Sequence, residues 1–294
     1  MTVQTHPKVS RDLVLAARQD LLPARGSGWL AGFANMLSKE LGEWFHTRKW
    51  LWQLLLWTGI ADGFIALIFF ALPAISSIFP MAKPIVDQIL KAFTIMPQPE
   101  ANIVFYFFSF LLMSGVFGVI ILAQDEVIQE KQSGTAAWIL SKPAARQGFI
   151  LTKLLSNFIG ILAFMIVVPG LIVLVEIYLA THKILPVLPF LAGCGVILLV
   201  LLFYLSLVIM LGALFETRGK VLGLAISVYF VCQIGKAFLP QIALALPSTM
   251  DAASVALALG QPLMAIQVAG VISIAILSLV FILVAVWRFQ HKEF

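Results

Sequence analysis

The chain has 294 residues, of which 61% are hydrophobic and only 11% are charged, whereas a soluble protein carries about 25% charged residues. Together with a mean hydropathy of +1.03, this composition excludes a soluble globular protein and predicts one embedded in the lipid bilayer. The net charge of +5 then reflects orientation across the membrane rather than nucleic-acid binding. We therefore expect an all-α integral membrane protein without a nucleic-acid partner.

The N-terminal region precedes the first apolar run. Residues 1–28 are polar, and we predict a cytosolic tail there. In residues 29–49 apolar side chains recur at steps of three and four, which predicts an amphipathic helix lying in the headgroup plane. The apolar stripe of this helix consists of Leu30, Phe33, Leu37, Leu41 and Trp44.

Residues 50–294 form one predicted transmembrane domain with six spans. The spans cover about 50–79, 103–123, 149–176, 187–215, 221–239 and 263–287, and about 20 apolar residues are enough to cross the hydrocarbon core. Pro169 and Gly170 predict a kink or break in the third span. The apolar but interrupted segment 240–262, between the fifth and sixth spans, favours short re-entrant or interfacial helices on the outer face over a free loop.

The basic residues are unevenly divided between the two sides of this topology. Six spans place both termini on one side, and 15 of the 19 Lys and Arg residues lie on that side. The remaining four are Lys83, Lys91, Lys183 and Lys236. Because Lys and Arg concentrate on the cytoplasmic side, we predict that both termini are cytosolic, in a multi-pass protein of the inner (plasma) membrane.

The sequence contains no motif for catalysis, nucleotide binding or metal binding. Its Gly219-Lys220 pair lacks the upstream glycine of a Walker motif. The four histidines are scattered and both cysteines lie in apolar spans, so no metal site is indicated. We expect no enzyme activity and no cofactor in this chain.

Asp62 is the deepest charge, about ten residues into the first span, where a charge costs about 2.5–3.5 kcal/mol on insertion scales. It is a candidate lining group for a translocation path or a contact between helices. The alternative is a hydrogen bond to a neighbouring helix that only helps packing. Glu176 and Lys236 lie near outer span ends, where we expect snorkelling to relieve most of the cost.

The longest polar interruption between spans is the loop 124–148, which mixes acids, bases and helix breakers. A short apolar helix in this loop is a candidate for docking into a soluble partner, and the alternative is an ordinary interfacial loop. We expect Arg146 and Lys153 to anchor the third span at the headgroups. The candidate contact residues are Glu126, Glu130, Gly134, Thr135, Trp138, Leu140, Pro143 and Arg146.

This loop resembles that of ABC-2 type permeases, which often reads E-x-x-x-G-T followed by L-x-x-P-x-x-R and a Lys in the next helix. The matching residues here are Glu130, Gly134, Thr135, Leu140, Pro143, Arg146 and Lys153. The layout of an amphipathic helix, six spans and outer helices between the fifth and sixth spans is also similar to that family.

The resemblance implies the membrane subunit of an ABC transporter, usually an exporter. Such a subunit works as a dimer, with a second copy or a related permease, and with separate ATPase subunits that bind ATP and Mg. The resemblance also implies that loop 124–148 couples the chain to those ATPases. Two other classes stay open: a scaffold or sensor that holds a soluble partner through the same loop, and a membrane-embedded enzyme, which the missing catalytic residues disfavour.

Overall fold

The computed structural model describes residues 32–133, 146–239 and 243–291, and all regular secondary structure in these ranges is helical. Six helices are long and apolar enough to cross a membrane, which confirms an all-α protein with six candidate spans. In chain order, spans 1 to 6 are Trp50–Ile78, Pro99–Gln132, Arg146–Thr181, Val187–Leu214, Arg218–Phe238 and Ala265–Gln290. The predicted tail, 1–28, lies outside the described residues.

A helix at Phe33–Phe45 precedes span 1 and packs along the first half of span 3. Its Trp44 side chain is 2% exposed and stacks on Phe164, with ring centroids 6.1 Å apart. Trp44 also covers Gly160, where a Cβ atom would lie 2.6 Å from the indole ring. The N-terminal helix therefore turns its apolar stripe towards span 3, and only a residue without a side chain allows it to come this close.

Spans 1 and 3 each contain a π-helical turn, at Leu67–Ala71 and Leu162–Val167. Each turn comes just before a proline, Pro73 or Pro169. Proline has no N–H to donate and its ring clashes with the carbonyl four residues earlier, and a wider turn accommodates both effects. Span 3 therefore continues through Pro169 to Thr181 without the predicted break.

Spans 2 and 4 form the centre of the bundle. In their most apolar windows 67% and 72% of residues are buried, against 17% for span 5 and 22% for span 6. The rings of Phe107, Phe108 and Phe190 pack together where spans 2 and 4 meet. Spans 5 and 6 thus leave wide apolar faces uncovered, as helices in contact with lipid or with a second membrane protein do.

The short helix Ile128–Gln132 ends span 2. Shorter helices connect the spans at Lys83–Phe93 and, between spans 5 and 6, at Met250–Ala258. The last of these packs against spans 2 and 4. Ser109 of span 2 donates a hydrogen bond to Asp251 (3.0 Å). The described part of segment 240–262 is thus helical where helices were predicted, and it re-enters the bundle rather than forming a free loop.

Candidate functional site

The side chain of Lys153, near the start of span 3, is 2% exposed and enclosed by carboxylates. Its Nζ atom lies 3.2 Å from Oε1 of Glu40, 3.3 Å from Oε1 of Glu130 and 3.5 Å from Oε2 of Glu126. The prediction that Lys153 anchors span 3 at the headgroups is therefore wrong. Three acids from two other segments neutralise it inside the protein, which compensates for the loss of its hydration.

A second ammonium group belongs to the same network. Nζ of Lys39, on the N-terminal helix, donates to Oε1 of Glu130 at 2.8 Å. That oxygen of Glu130 therefore bridges Lys39 and Lys153, and joins the N-terminal helix to spans 2 and 3. We call this network the charge cluster, and its members are Lys39, Glu40, Glu126, Glu130 and Lys153.

The charge cluster contains three carboxyl groups and only two ammonium groups, and the exposed Glu43 lies 3.8 Å from Lys39 at its edge. Burial raises the pKa of Glu40, although the Lys153 ammonium opposes this shift. Burial also acts to lower the pKa of Lys39, but the hydrogen bond and charge of Glu130 outweigh it, so the pKa is raised. Both shifts favour bound protons, as expected where negative charge is in excess.

The helix Ile128–Gln132, in the first part of loop 124–148, is also bonded to the C-terminal end of span 4. Lys131 Nζ donates to the carbonyl oxygens of Gly212 (2.8 Å) and Phe215 (2.9 Å). The last carbonyls of a helix lack partners within the helix, and a cation there also interacts favourably with the helix dipole. Gln132 Nε2 adds a hydrogen bond to the carbonyl oxygen of Glu216 (3.0 Å).

A polar cavity of about 430 Å³ opens beside the charge cluster. Asp125 lines this cavity and is paired with Arg218 at the start of span 5, with 2.5 Å between Oδ1 and Nε. Ser133, the last residue of loop 124–148 that is described before 134–145, also lines the cavity. The base of the loop thus contacts the N-terminal helix and spans 3, 4 and 5, with space beside it.

The predicted contact residues are only partly within the described ranges. Glu126 and Glu130 meet in the charge cluster. Arg146, the first residue of span 3, instead donates from Nη1 to the carbonyl oxygen of Gln290 in span 6 (3.0 Å). The other predicted residues, Gly134, Thr135, Trp138, Leu140 and Pro143, lie outside the described residues.

Asp62, the predicted deep acid of span 1, is 2% exposed, and neither of its carboxylate oxygens has a hydrogen-bond partner among the described residues. Glu176 of span 3 is also buried, at 8% exposure, so the prediction that it snorkels at the lipid surface is wrong. Its helix packs against span 1, and Glu176 lies within that contact rather than in lipid.

Sequence reasoning missed the roles of Lys39, Glu40 and Lys131. A usable signal was present for Glu40, because it lies within the apolar stripe, between Leu37 and Trp44. An acid on an otherwise apolar helix face predicts a buried basic partner. Within the described ranges no group of three or more His, Cys, Asp and Glu side chains could hold a metal ion.

Six apolar spans, with a buried charge cluster at one end of the bundle, define a multi-pass membrane protein. The family model for ABC-2 family transporter proteins matches residues 34–294, and the chain belongs to this family. Members are membrane subunits that lack a nucleotide-binding domain and normally work with ABC ATPase subunits. The chain is thus a permease subunit of an ABC transporter. Among curated proteins none matches it.

Proposed function

We propose that this permease subunit and a second permease, either a copy or a related chain, form the translocation path of an ABC exporter in the plasma membrane. Both termini and loop 124–148 lie in the cytosol, a placement supported by the 15 of 19 basic residues on that side. Separate ATPase subunits bind ATP and Mg and contact the loop. Their movement changes the packing of the spans and so alternates access to the path.

The observation that carries this proposal is the position of Glu130 at the base of the loop. One carboxylate oxygen of Glu130 lies 2.8 Å from Nζ of Lys39 and 3.3 Å from Nζ of Lys153. The next residue, Lys131, holds the end of span 4. Because short charged contacts join all these elements, a displacement of the loop moves the N-terminal helix and spans 3 and 4 together.

In the proposed transport cycle, Asp62 lines the translocation path. Its side chain is almost fully enclosed between spans in this conformation. It would therefore reach the path only when span 1 moves away from span 3. A conformational change of that kind is what alternating access requires.

Co-purification from the native membrane tests the partnership. A tagged permease is expected to bring an ATPase with it, and the complex in lipid vesicles should hydrolyse ATP in response to substrate. A preparation that transports without any ATPase would overturn the proposal. A complex whose ATP turnover never responds to substrate would support a scaffold or sensor instead.

Substitutions at the loop test the coupling. Glu130→Ala and Gly134→Trp should each lower coupled ATP hydrolysis by about tenfold, equivalent to about 1.4 kcal/mol, while the permease stays in the membrane. The matched control is Glu43→Ala, which removes an acid that lines the same cavity and is 51% exposed. Unchanged turnover in both loop variants would show that the ATPase contact lies elsewhere.

A further inference from the structure

Two acidic side chains are buried in the spans without a counter-ion among the described residues. Asp62 is 2% exposed with both carboxylate oxygens unpartnered, and Glu176 is 8% exposed with Oε2 unpartnered. The hydroxyl of Thr58, one helical turn before Asp62, is also buried without a partner. Buried polar groups are usually satisfied, so three unsatisfied groups in one region indicate that something binds there.

The two acids lie at the same depth in the bundle. Spans 1 and 3 run parallel and pack together. The ring of Trp50, at the start of span 1, lies 6.2 Å from the ring of Phe164, midway along span 3. Asp62 and Glu176 each follow that contact by twelve residues, or about 18 Å at 1.5 Å per residue. The two carboxyl groups also interact electrostatically. Both carboxyl groups therefore lie within the spans, with Glu176 five residues before the end of span 3.

The facing surface of span 2 offers no counter-charge. Phe64 packs on Phe110 with ring centroids 4.2 Å apart, and Trp57 packs against Gly118. The stretch of span 2 between these contacts, 110–118, contains no ionisable side chain.

Among the described residues, no other ionisable group on spans 1 and 3 or on the elements packed against them forms a hydrogen bond with Asp62 or with Oε2 of Glu176. Lys83, Asp87 and Lys91 are exposed on the Lys83–Phe93 helix, and the charge cluster lies at the loop end. The ionisable groups on these elements also include Glu43, His46, Arg48, Glu100, Tyr106, Asp125, Lys131, Arg146, Tyr178, His182, Cys194, Tyr204, Arg288 and His291.

We propose that Asp62 and Glu176 form a proton-binding site that holds at least one proton at neutral pH. Two ionised carboxylates at the same depth would each lack hydration and would also repel each other. One bound proton neutralises one carboxyl group and removes the repulsion. Release of the proton would set two like charges against each other where spans 1 and 3 meet, and so favour separation of these spans.

The number of oxygen atoms at this site favours a proton over a metal ion as its ligand. Asp62, Glu176 and Thr58 offer four unpartnered oxygens, whereas hard cations such as Ca²⁺ take six to eight. No group of three or more Asp, Glu, His and Cys side chains among the described residues could hold a metal ion. The proposal does not depend on coupling through loop 124–148, so it can fail while that coupling holds.

Infrared difference spectroscopy of the full chain in phosphatidylcholine nanodiscs tests the site directly. When the pH is raised from neutral to strongly alkaline, the wild type should lose the C=O band of a protonated carboxylic acid. The double variant Asp62→Asn/Glu176→Gln should lack this component, and Asp87→Asn, which changes an exposed acid, should keep it. A wild type without the component at neutral pH, or a double variant that retains it, would overturn the proposal.

A second measurement needs no variant and so does not depend on the double variant folding. Dicyclohexylcarbodiimide reacts with protonated carboxyl groups in apolar surroundings, and mass spectrometry locates the label. We expect labelling of Asp62 or Glu176 at neutral pH, falling at least tenfold at alkaline pH. Absent labelling would contradict the proposal. Protection by NaCl but not by choline chloride would also contradict it and would assign the site to sodium.

Discussion

Nζ of Lys153 and Oε1 of Glu40 lie 3.2 Å apart, although the two residues are 113 positions apart in the chain. Four residues after Glu40, Trp44 covers Gly160, which follows Lys153 by two helical turns. The N-terminal helix is therefore held on span 3 by an ion pair and an aromatic contact side by side. Apolar burial supplies most of the stabilisation in such a pair of contacts, and the charges specify the register.

Lys153→Met should strongly destabilise the protein. The substitution leaves three carboxyl groups with Lys39 as the only ammonium group of the charge cluster. Removal of one partner of a buried ion pair costs about 3–5 kcal/mol. Thermal unfolding in detergent measures the effect, with Lys220→Met as a control because Lys220 is exposed at the same end of the bundle. Equal unfolding temperatures for the two variants would contradict the enclosed position of Lys153.

Glu40→Gln should change how stability depends on pH. Because burial raises the pKa of Glu40 above its ordinary value of 4.5, the folded protein binds this proton more tightly than the unfolded chain. This contribution to stability is therefore lost as the pH rises from about 4.5 through the folded-state pKa.

The measurement for Glu40 is the difference in unfolding temperature between wild type and Glu40→Gln over a pH series. The unfolding temperature of the wild type relative to that of Glu40→Gln should fall as the pH rises and then level off. Each kcal/mol of lost stability lowers the unfolding temperature by about 2–4 °C. Asp87→Asn is the control, since Asp87 is exposed on the Lys83–Phe93 helix, away from the charge cluster. A difference that is constant with pH, or one that rises, would refute the prediction.

Gly160→Ala should loosen the N-terminal helix. The added Cβ would lie 2.6 Å from the ring of Trp44, and overpacking of this kind costs about 1–3 kcal/mol. In span 4, Gly195 has no atom within 4 Å of its added Cβ, so Gly195→Ala should be neutral or slightly stabilising. The two variants are compared by the rate of proteolysis of the N-terminal helix and by thermal unfolding. Equal behaviour of the two variants would show that the close contact of Trp44 with Gly160 is not required.

Lys131→Met should weaken the link between the loop and span 4. The side chain of Lys131 is 4% exposed. In the variant, the carbonyl oxygens of Gly212 and Phe215 lose the ammonium group that donates to them. A buried polar group without a partner costs about 1–3 kcal/mol. If the loop transmits motion as proposed, substrate-stimulated ATP hydrolysis of the complex should fall severalfold. Lys91→Met, a change of an exposed lysine away from the loop, should leave the hydrolysis rate unchanged.

Local features of the sequence were sufficient to predict the six spans, the interior position of Asp62 and the family. The six spans are visible as apolar runs because lipid offers no hydrogen bonds to the backbone, so each crossing must be a long apolar helix. The interior position of Asp62 followed from its distance from the ends of span 1. The loop pattern from Glu130 to Arg146 indicated the family, and the family model over residues 34–294 confirms it.

Other positions were not predictable from local sequence. Lys153 and Glu176 each look like residues at the end of a span that reach towards polar headgroups, and both are buried. Distance along one helix gives the depth of a residue but does not give the helix that it faces. For a charged side chain in a membrane protein, the facing helix decides whether it contacts lipid, water or a counter-ion.

The sequence by itself determined the class of the protein and the number of its spans, because hydropathy is a property of each segment alone. Only the tertiary structure decided that Lys153 is neutralised by Glu40, Glu126 and Glu130, and that Asp62 lies level with Glu176. These relationships join residues of different helices that lie far apart in the chain. They depend on the rotation and register of packed helices, which the packing of all the side chains specifies together.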